Sequence, residues 1–252
     1  MERLKIAIQK SGRLHDDSIK LLKEAGISIN NGKDQLKAPA TNFALEVYYL
    51  RNGDIPKYLQ DGVVDLAIIG ENLLIEKGNH IESVERLKFS KCRVCIAVPK
   101  GTEYNGLQDL ENKRIATSYP NTLRSFLDNN NINADIHVIN GSVEIAPNIG
   151  LSEAICDIVS SGSTLFKNNL KEVETLLKSE AVLAVSPKLD QSNETFQELL
   201  FRLRGVLRAR EHKYVLMNVQ QANLQEVLSL LPGMKSPTVL PLAESGWVSV
   251  HT

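Results

Sequence analysis

The 252-residue chain holds only three cysteines, Cys92, Cys95 and Cys156. Three thiols make no disulfide framework, so a reducing, cytoplasmic setting is expected. Charge of one sign is also lacking: 29 Lys and Arg stand against 30 Asp and Glu, for a net charge of -1. That balance excludes a global basic field, so neither nucleic acid nor a membrane is expected as partner. No apolar run approaches the roughly 20 residues of a membrane span. Met1 to Ile6 alternates at once and lacks the apolar centre of a signal peptide. No second Cys/His pair accompanies Cys92 and Cys95, and residues three apart on a strand face opposite ways. These cysteines are expected to pack as small hydrophobes, with no protein metal cage.

What remains is an ordinary globular composition, 42% hydrophobic and 23% charged. The length suits one large or two to three small domains. Leu4 to Ile8 reads as a strand, broken by Gln9-Lys10-Ser11-Gly12-Arg13-Leu14 and followed by a helix that Gly26 stops. Leu45 to Leu50 and Val63 to Ile69 are further strands. Between them Asp54 is expected to cap a short helix with Pro56 in its first turn. Strand, helix and strand in close succession predict a parallel, doubly wound sheet. Residues 91 to 99 form another strand, and the pattern then repeats. Arg114 to Thr117 and Ile136 to Ile139 are strands, with a helix from Ser118 to about Asn129 between them. A helix through Leu151 to Ile155 and a strand from Cys156 to Val159 are expected next. A polar helix to about Leu170, a strand from Ala181 to Val185 and an amphipathic helix from Thr195 to Arg210 follow.

The chain carries an internal echo. Val64-Asp65-Leu66-Ala67-Ile68-Ile69-Gly70-Glu71-Asn72-Leu73 aligns without gaps on Cys156-Asp157-Ile158-Val159-Ser160-Ser161-Gly162-Ser163-Thr164-Leu165. Asp, Gly and Leu coincide. Ile68 and Ile69 become Ser160 and Ser161, while Glu71 and Asn72 become Ser163 and Thr164. Hydroxyls beside the free N–H groups of a helix start make a seat for phosphate. A capped turn without a ligand is the alternative, but a purely structural repeat has no need of that exchange. Residues 9 to 13 offer Lys10 and Arg13 around Ser11-Gly12 at the end of a strand, where α/β sheets bind ligands. A solvated loop is the alternative there. Beyond residue 211 the pattern reads βαββ, with strands over Lys213 to Val219, Thr238 to Leu242 and Trp247 to His251.

These residues resemble the ATP phosphoribosyltransferase family, the first enzyme of histidine biosynthesis, in its long form. The family signature fits from Glu144 through Gly150, Ser152, Ile155, Asp157, Ser161-Gly162 and Thr164-Leu165. The blocks around Gln9 to Leu14, Asp54-Ile55-Pro56, Gly62 to Leu66, Gly70-Glu71-Asn72 and Ala116 to Pro120 fit as well. The resemblance implies two doubly wound α/β lobes around a cleft, like the periplasmic binding proteins. It implies one lobe over 1–93 and 180–210, a second over 94–179, and a ferredoxin-like regulatory domain over 211–252. That domain stops a helix and a strand short of the family pattern.

The implied reaction joins ATP, through adenine N1, to 5-phosphoribosyl 1-pyrophosphate, with Mg²⁺, releasing pyrophosphate. Catalytic roles are implied for Lys10, Glu144 and Asp157. Phosphoribosyl pyrophosphate is expected on Asp157, Ser160, Ser161, Gly162, Ser163 and Thr164. ATP is expected on Gln9, Lys10, Ser11, Gly12, Arg13, Arg51, Asp54, Glu71 and Tyr119. Histidine, as inhibitor, is expected on Met234, Ser236 and Thr238. A homo-oligomer, dimer or hexamer, is implied too. For two of these residues a plainer role is the alternative: Glu144 as a cap of the following helix and Tyr119 as core filling. The competing reading of the whole chain is a two-lobed solute-binding module without turnover.

Overall fold

The structure, a computed structural model, describes residues 3–30, 35–78, 81–231 and 237–252. It divides into two compact units, 1–203 and 204–252. In chain order the first unit begins β1 (Leu4–Gln9), α1 (Arg13–Glu24), β2 (Lys37–Pro39), β3 (Leu45–Leu50), α2 (Ile55–Gln60), β4 (Leu66–Gly70), α3 (Glu71–Lys77) and β5 (Glu82–Arg86). It continues with β6 (Cys92–Pro99), β7 (Arg114–Thr117), α4 (Pro120–Asn129), β8 (Asp135–Val138), β9 (Ala154–Val159), α5 (Ser163–Lys167), β10 (Leu170–Ser179) and β11 (Ala181–Val185). Helix α6 (Glu194–Glu211) follows.

Two sheets result, ordered β2-β3-β1-β4-β11-β5 and β10-β6-β9-β7-β8. Each has a parallel trio at its heart, β3-β1-β4 in one and β9-β7-β8 in the other. Antiparallel strands extend both trios, so the sheets are mixed. The trios are the doubly wound pattern read from sequence. Each sheet with its helices makes one lobe.

Strand β6 shows why its sequence is apolar from Val94 to Val98. Val94, Ile96 and Val98 pack on one face with Leu123 and Leu127 of α4, while Cys95 and Ala97 pack on the other with Val143, Ala146 and Leu165. A strand covered on both faces cannot alternate polar and apolar residues. Burial pushes the Cys95 thiol up to about 12, as befits a small hydrophobe. Burying Leu123 and Leu127 contributes about 2 kcal/mol each, and Leu123→Ala is expected to cost about 3 kcal/mol.

Several expected elements differ. Strand β10 falls where the sequence predicts no element, between the polar helix and β11. Its register shifts between Glu172 and Glu174 and between Thr175 and Leu177 destroy the alternation that would have marked it. Strand β5, Glu-Ser-Val-Glu-Arg, is too polar to signal a strand. The helix expected through Leu151 to Ile155 is instead a pair of 3₁₀ turns, Val143–Ile145 and Pro147–Ile149. Gly150, at φ 75°, ends the second, and Ala154 already belongs to β9. Asp54 makes no side-chain capping bond to α2; it closes a 3₁₀ turn, Asn52–Asp54.

The second unit carries β12 (Leu216–Gln220), α7 (Leu224–Leu230), β13 (Thr238–Pro241) and β14 (Trp247–His251). Its antiparallel sheet runs β12-β14-β13, the βαββ order read from sequence. Val219, Val248 and Val250 form its core, with Leu224, Val227 and Leu228 against them. Thr238 opens the exposed strand β13, whereas Met234 and Ser236 lie outside the described residues. No helix among the described residues is long and apolar enough to cross a membrane.

Candidate active site

The site grows from the C-terminal ends of parallel strands, where the chain must leave the sheet and turn into a helix. Strand β9 pairs with β6 only as far as Val159 against Arg93. Beyond that pair β6 keeps only Cys92, which pairs with Ser179 of β10 and not with β9, so residues 160 to 162 leave the ladder. Gly162 takes φ 78°, which an L side chain rarely adopts, and α5 starts at Ser163. The Arg93 guanidinium donates to the Ser160 carbonyl at 3.2 Å and ties down the loop's entry. Ser161 and Ser163 hydroxyls lie 3.1 Å apart. Ser160, Ser161, Ser163 and Thr164 are all exposed.

This loop lines a cavity of about 270 Å³ together with Arg13, Glu144 and Asp157. Glu144 arrives by a sharp turn in which Gly141 and Ser142 both take left-handed backbone, at φ 78° and 51°. Asp157 accepts the Ser118 hydroxyl at 3.1 Å and the Ile158 N–H at 2.8 Å. Burial pushes the Asp157 carboxyl above its ordinary range; the two hydrogen bonds oppose this, and the charge of Glu144 adds to it. Two carboxylates thus share one polar cavity with a loop of hydroxyls.

Across the cleft, β1 ends in Gln9 to Gly12. The Gln9 amide donates to the Ser11 carbonyl at 2.7 Å, and a His15 ring nitrogen meets the Gln9 carbonyl at 2.9 Å. Arg13 reaches towards the Ser160 hydroxyl at 3.5 Å, a weak contact that spans the lobes. An adjoining cavity of about 370 Å³ is lined by Gln9, Arg13, Asn52, Asn72, Ser90, Lys91 and Cys92, and it too reaches Ser160.

Of the residues named from sequence, the first cavity gathers Arg13, Glu144, Asp157, Ser160, Ser161, Gly162, Ser163 and Thr164. Gln9 lines the second. Lys10, Ser11, Gly12, Arg51 and Asp54 are exposed on the same rim loops but line neither cavity. Glu71 pairs with Arg86, which also holds Glu180. The Tyr119 hydroxyl is occupied by the Asn72 amide, 2.8 Å away, and burial pushes its pKa up.

Sequence reasoning overlooked Asn52, Asn72, Ser118 and Lys91 as site residues. Asn72 had a signal, since it aligns with Thr164 in the internal echo. Ser118 lies in the block Ala116 to Pro120 that resembles the family, but its reach to Asp157 could not be read locally, because it depends on β7 lying beside β9.

The comparisons with known proteins agree. The family model described as ATP phosphoribosyltransferase matches residues 51–205, and the one described as the HisG C-terminal domain matches 209–252. The chain belongs to the ATP phosphoribosyltransferase family. The protein of that name from Cytophaga hutchinsonii is 54% identical over 99% of this chain and 87% of its own length. The Bacteroides thetaiotaomicron protein of the same name is 52% identical over 99% of this chain and 88% of its own.

Among solved structures, the ATP phosphoribosyl transferase (HisG:HisZ) complex from Thermotoga maritima matches with a TM-score of 0.71 and 29% identity, over 82% of this chain and 99% of that one. A protein solved with bound L-arginine matches at a TM-score of 0.56 and 16% identity over 83% of this chain and 85% of its own, which shows the shared two-lobed fold alone. The chain is a pentosyltransferase of the first step of histidine biosynthesis. The family requires a divalent metal.

Proposed function

We propose that the cavity formed by Glu144 and residues 157 to 164 seats 5-phosphoribosyl 1-pyrophosphate, and that ATP enters from the rim of residues 9 to 13. Adenine N1 then attacks C1 of the ribose, and pyrophosphate leaves. The carrying observation is the convergence in one cavity of Asp157, Glu144, Arg13 and four hydroxyl residues. Adenine N1 is already a nucleophile, so no activated serine or cysteine is required. The difficulty is to hold two polyanions together while C1 becomes cation-like, which is a task of positioning and charge.

In this reading the loop N–H groups and hydroxyls of Ser161, Gly162, Ser163 and Thr164 take the 5-phosphate. Asp157 and Glu144 accept from the ribose hydroxyls and lie close to the developing positive charge. Lys10, Arg13 and Arg51 offset phosphate charge from the opposite side. Tyr119 holds Asn72 at the adenine end, and Gln9, Ser11, Gly12, Asp54 and Glu71 complete the ATP rim.

The two carboxylates also fit a hard divalent ion, Mg²⁺, held mainly by substrate oxygens, and that ion would neutralise pyrophosphate charge. The same reading covers lobe boundaries at 93–94 and 179–180, a cytoplasmic homo-oligomer, and histidine as a ligand of Met234, Ser236 and Thr238. A partner subunit of the kind in the Thermotoga maritima complex is also within its reach. Absorbance assays with ATP, phosphoribosyl pyrophosphate and Mg²⁺ test the reading. Product is expected from the wild type and almost none from Asp157→Ala. A wild type that makes no product refutes it.

A further inference from the structure

Glu76 is a buried acid that the transfer reading does not use. Its exposure is 4%, and it lies near the end of α3 in the first lobe. A buried carboxylate is costly unless its charge is answered. The answer comes from the other lobe. The Asn121 N–H donates to one carboxylate oxygen at 3.0 Å, and the Thr122 N–H and hydroxyl donate to the other at 2.9 and 2.7 Å. The Asn121 side-chain amide donates to the Glu76 carbonyl at 2.9 Å.

Asn121 and Thr122 stand in the first turn of α4, a ten-residue helix whose own flanking residue, Tyr119, supplies no side-chain cap. Its exposed N–H groups and positive dipole end are therefore satisfied by the first lobe. The start of α3 is tied down as well. Asn72 exchanges bonds with Ser179 through its N–H and side-chain oxygen, both at 2.9 Å, and its amide reaches the Tyr119 hydroxyl. One short helix is thus fastened to the second lobe at both ends. The residue before Tyr119 is Ser118, which holds Asp157.

We propose that Glu76 is a positioning residue: it locks α3 of the first lobe to α4 of the second and so fixes the spacing between Arg13 and Asp157. The inference rests on the transfer reading for its kinetic consequence, but not for the lock itself. Two-lobed binding proteins of this fold close by hinge motion. Here three hydrogen bonds to one buried carboxylate, and a fourth to the Glu76 backbone carbonyl, oppose free opening.

The test compares wild type, Glu76→Gln and Glu76→Gln with Asn121→Asp. The last restores a negative charge to the first turn of α4 without restoring the tie. Charge-assisted bonds to one acid are lost, so kcat/KM for both substrates should fall about 10-fold to 100-fold, mostly in kcat, in both variants. Spin labels on Lys20→Cys and Arg124→Cys, in a Cys92→Ser background, report lobe separation directly. The narrow distance distribution of the parent should broaden in both Glu76 variants.

If Glu76→Gln only lowers Tm while kcat and the distances stay unchanged, or if Asn121→Asp restores both, Glu76 merely caps α4 and the proposal is overturned. A wild type without turnover would refute the transfer reading instead, and the distances would still decide the lock.

Discussion

Two aligned decapeptides that share an Asp, a Gly and a Leu have opposite fates in this protein. Asp65 to Leu73 and Asp157 to Leu165 both run from a strand into a helix. In the first, Asp65 accepts the Lys5 N–H at 2.7 Å and serves the sheet. Ile68 and Ile69 are fully buried, because β11 pairs with β4 as far as Gly70. In the second, β6 abandons β9 at Val159, and Ser160 and Ser161 emerge into a cavity. The difference is one of neighbours. Where a strand has a partner to its last residue, the end is core; where the partner stops early, the end becomes a loop and can hold a ligand.

The largest contrast is expected at the two aspartates. Asp157→Asn should lower kcat about 100-fold or more, whereas Asp65→Asn should leave kcat near wild type and cost about 1–2 kcal/mol in urea unfolding. Equal kinetic losses at both positions would erase the distinction. Next, forcing the first copy to imitate the second should fail. Ile68→Ser with Ile69→Ser buries two hydroxyls in a dry core and should cost about 3 kcal/mol or more by thermal or chemical denaturation. Removing hydroxyls from the second copy, by Ser163→Ala or Thr164→Ala, should raise KM for phosphoribosyl pyrophosphate roughly 10-fold with stability unchanged.

The matched glycines sharpen the comparison further. Gly162→Ala meets nothing nearer than a Val159 methyl at 4.0 Å, so its cost of about 1 kcal/mol is one of backbone alone at φ 78°. Gly70 has ordinary backbone, but a Cβ there would run into the Asn72 side chain. Gly70→Ala should therefore disturb the Asn72 bonds to Ser179 and Tyr119, seen as a rise in KM for ATP.

The smallest effect is one of pH. Because the Asp157 carboxyl is held above its ordinary range, the fold favours its protonated form. That stability is complete below the unfolded-state pKa and is lost as pH rises through the folded one. Asp157→Asn should accordingly be at least as stable as wild type at neutral pH. Its advantage should vanish in acid, as urea midpoints across pH would show.

Much of the fold was legible. Strands β3, β7, β11 and β14 were read to the residue, since each is an apolar or alternating run between clear turn signals. The bulged β10 was not, because two register shifts hide its period, and polar β5 carries no apolar signal at all. For the site, Arg13 and the loop from Asp157 to Thr164 came from local residue types. Tyr119 came from resemblance, and it faces Asn72.

By itself the sequence determined most of the elements, the family and the hydroxyl-rich loop, because these depend on residue types within short stretches of the chain. The tertiary structure alone decided that β6 stops short and frees that loop, that Ser118 reaches Asp157, and that an acid on α3 closes the end of α4. Each of these joins residues roughly 40 to 70 positions apart, where sequence periodicity carries no information and only strand order within a sheet, or the packing of one lobe on the other, brings them together.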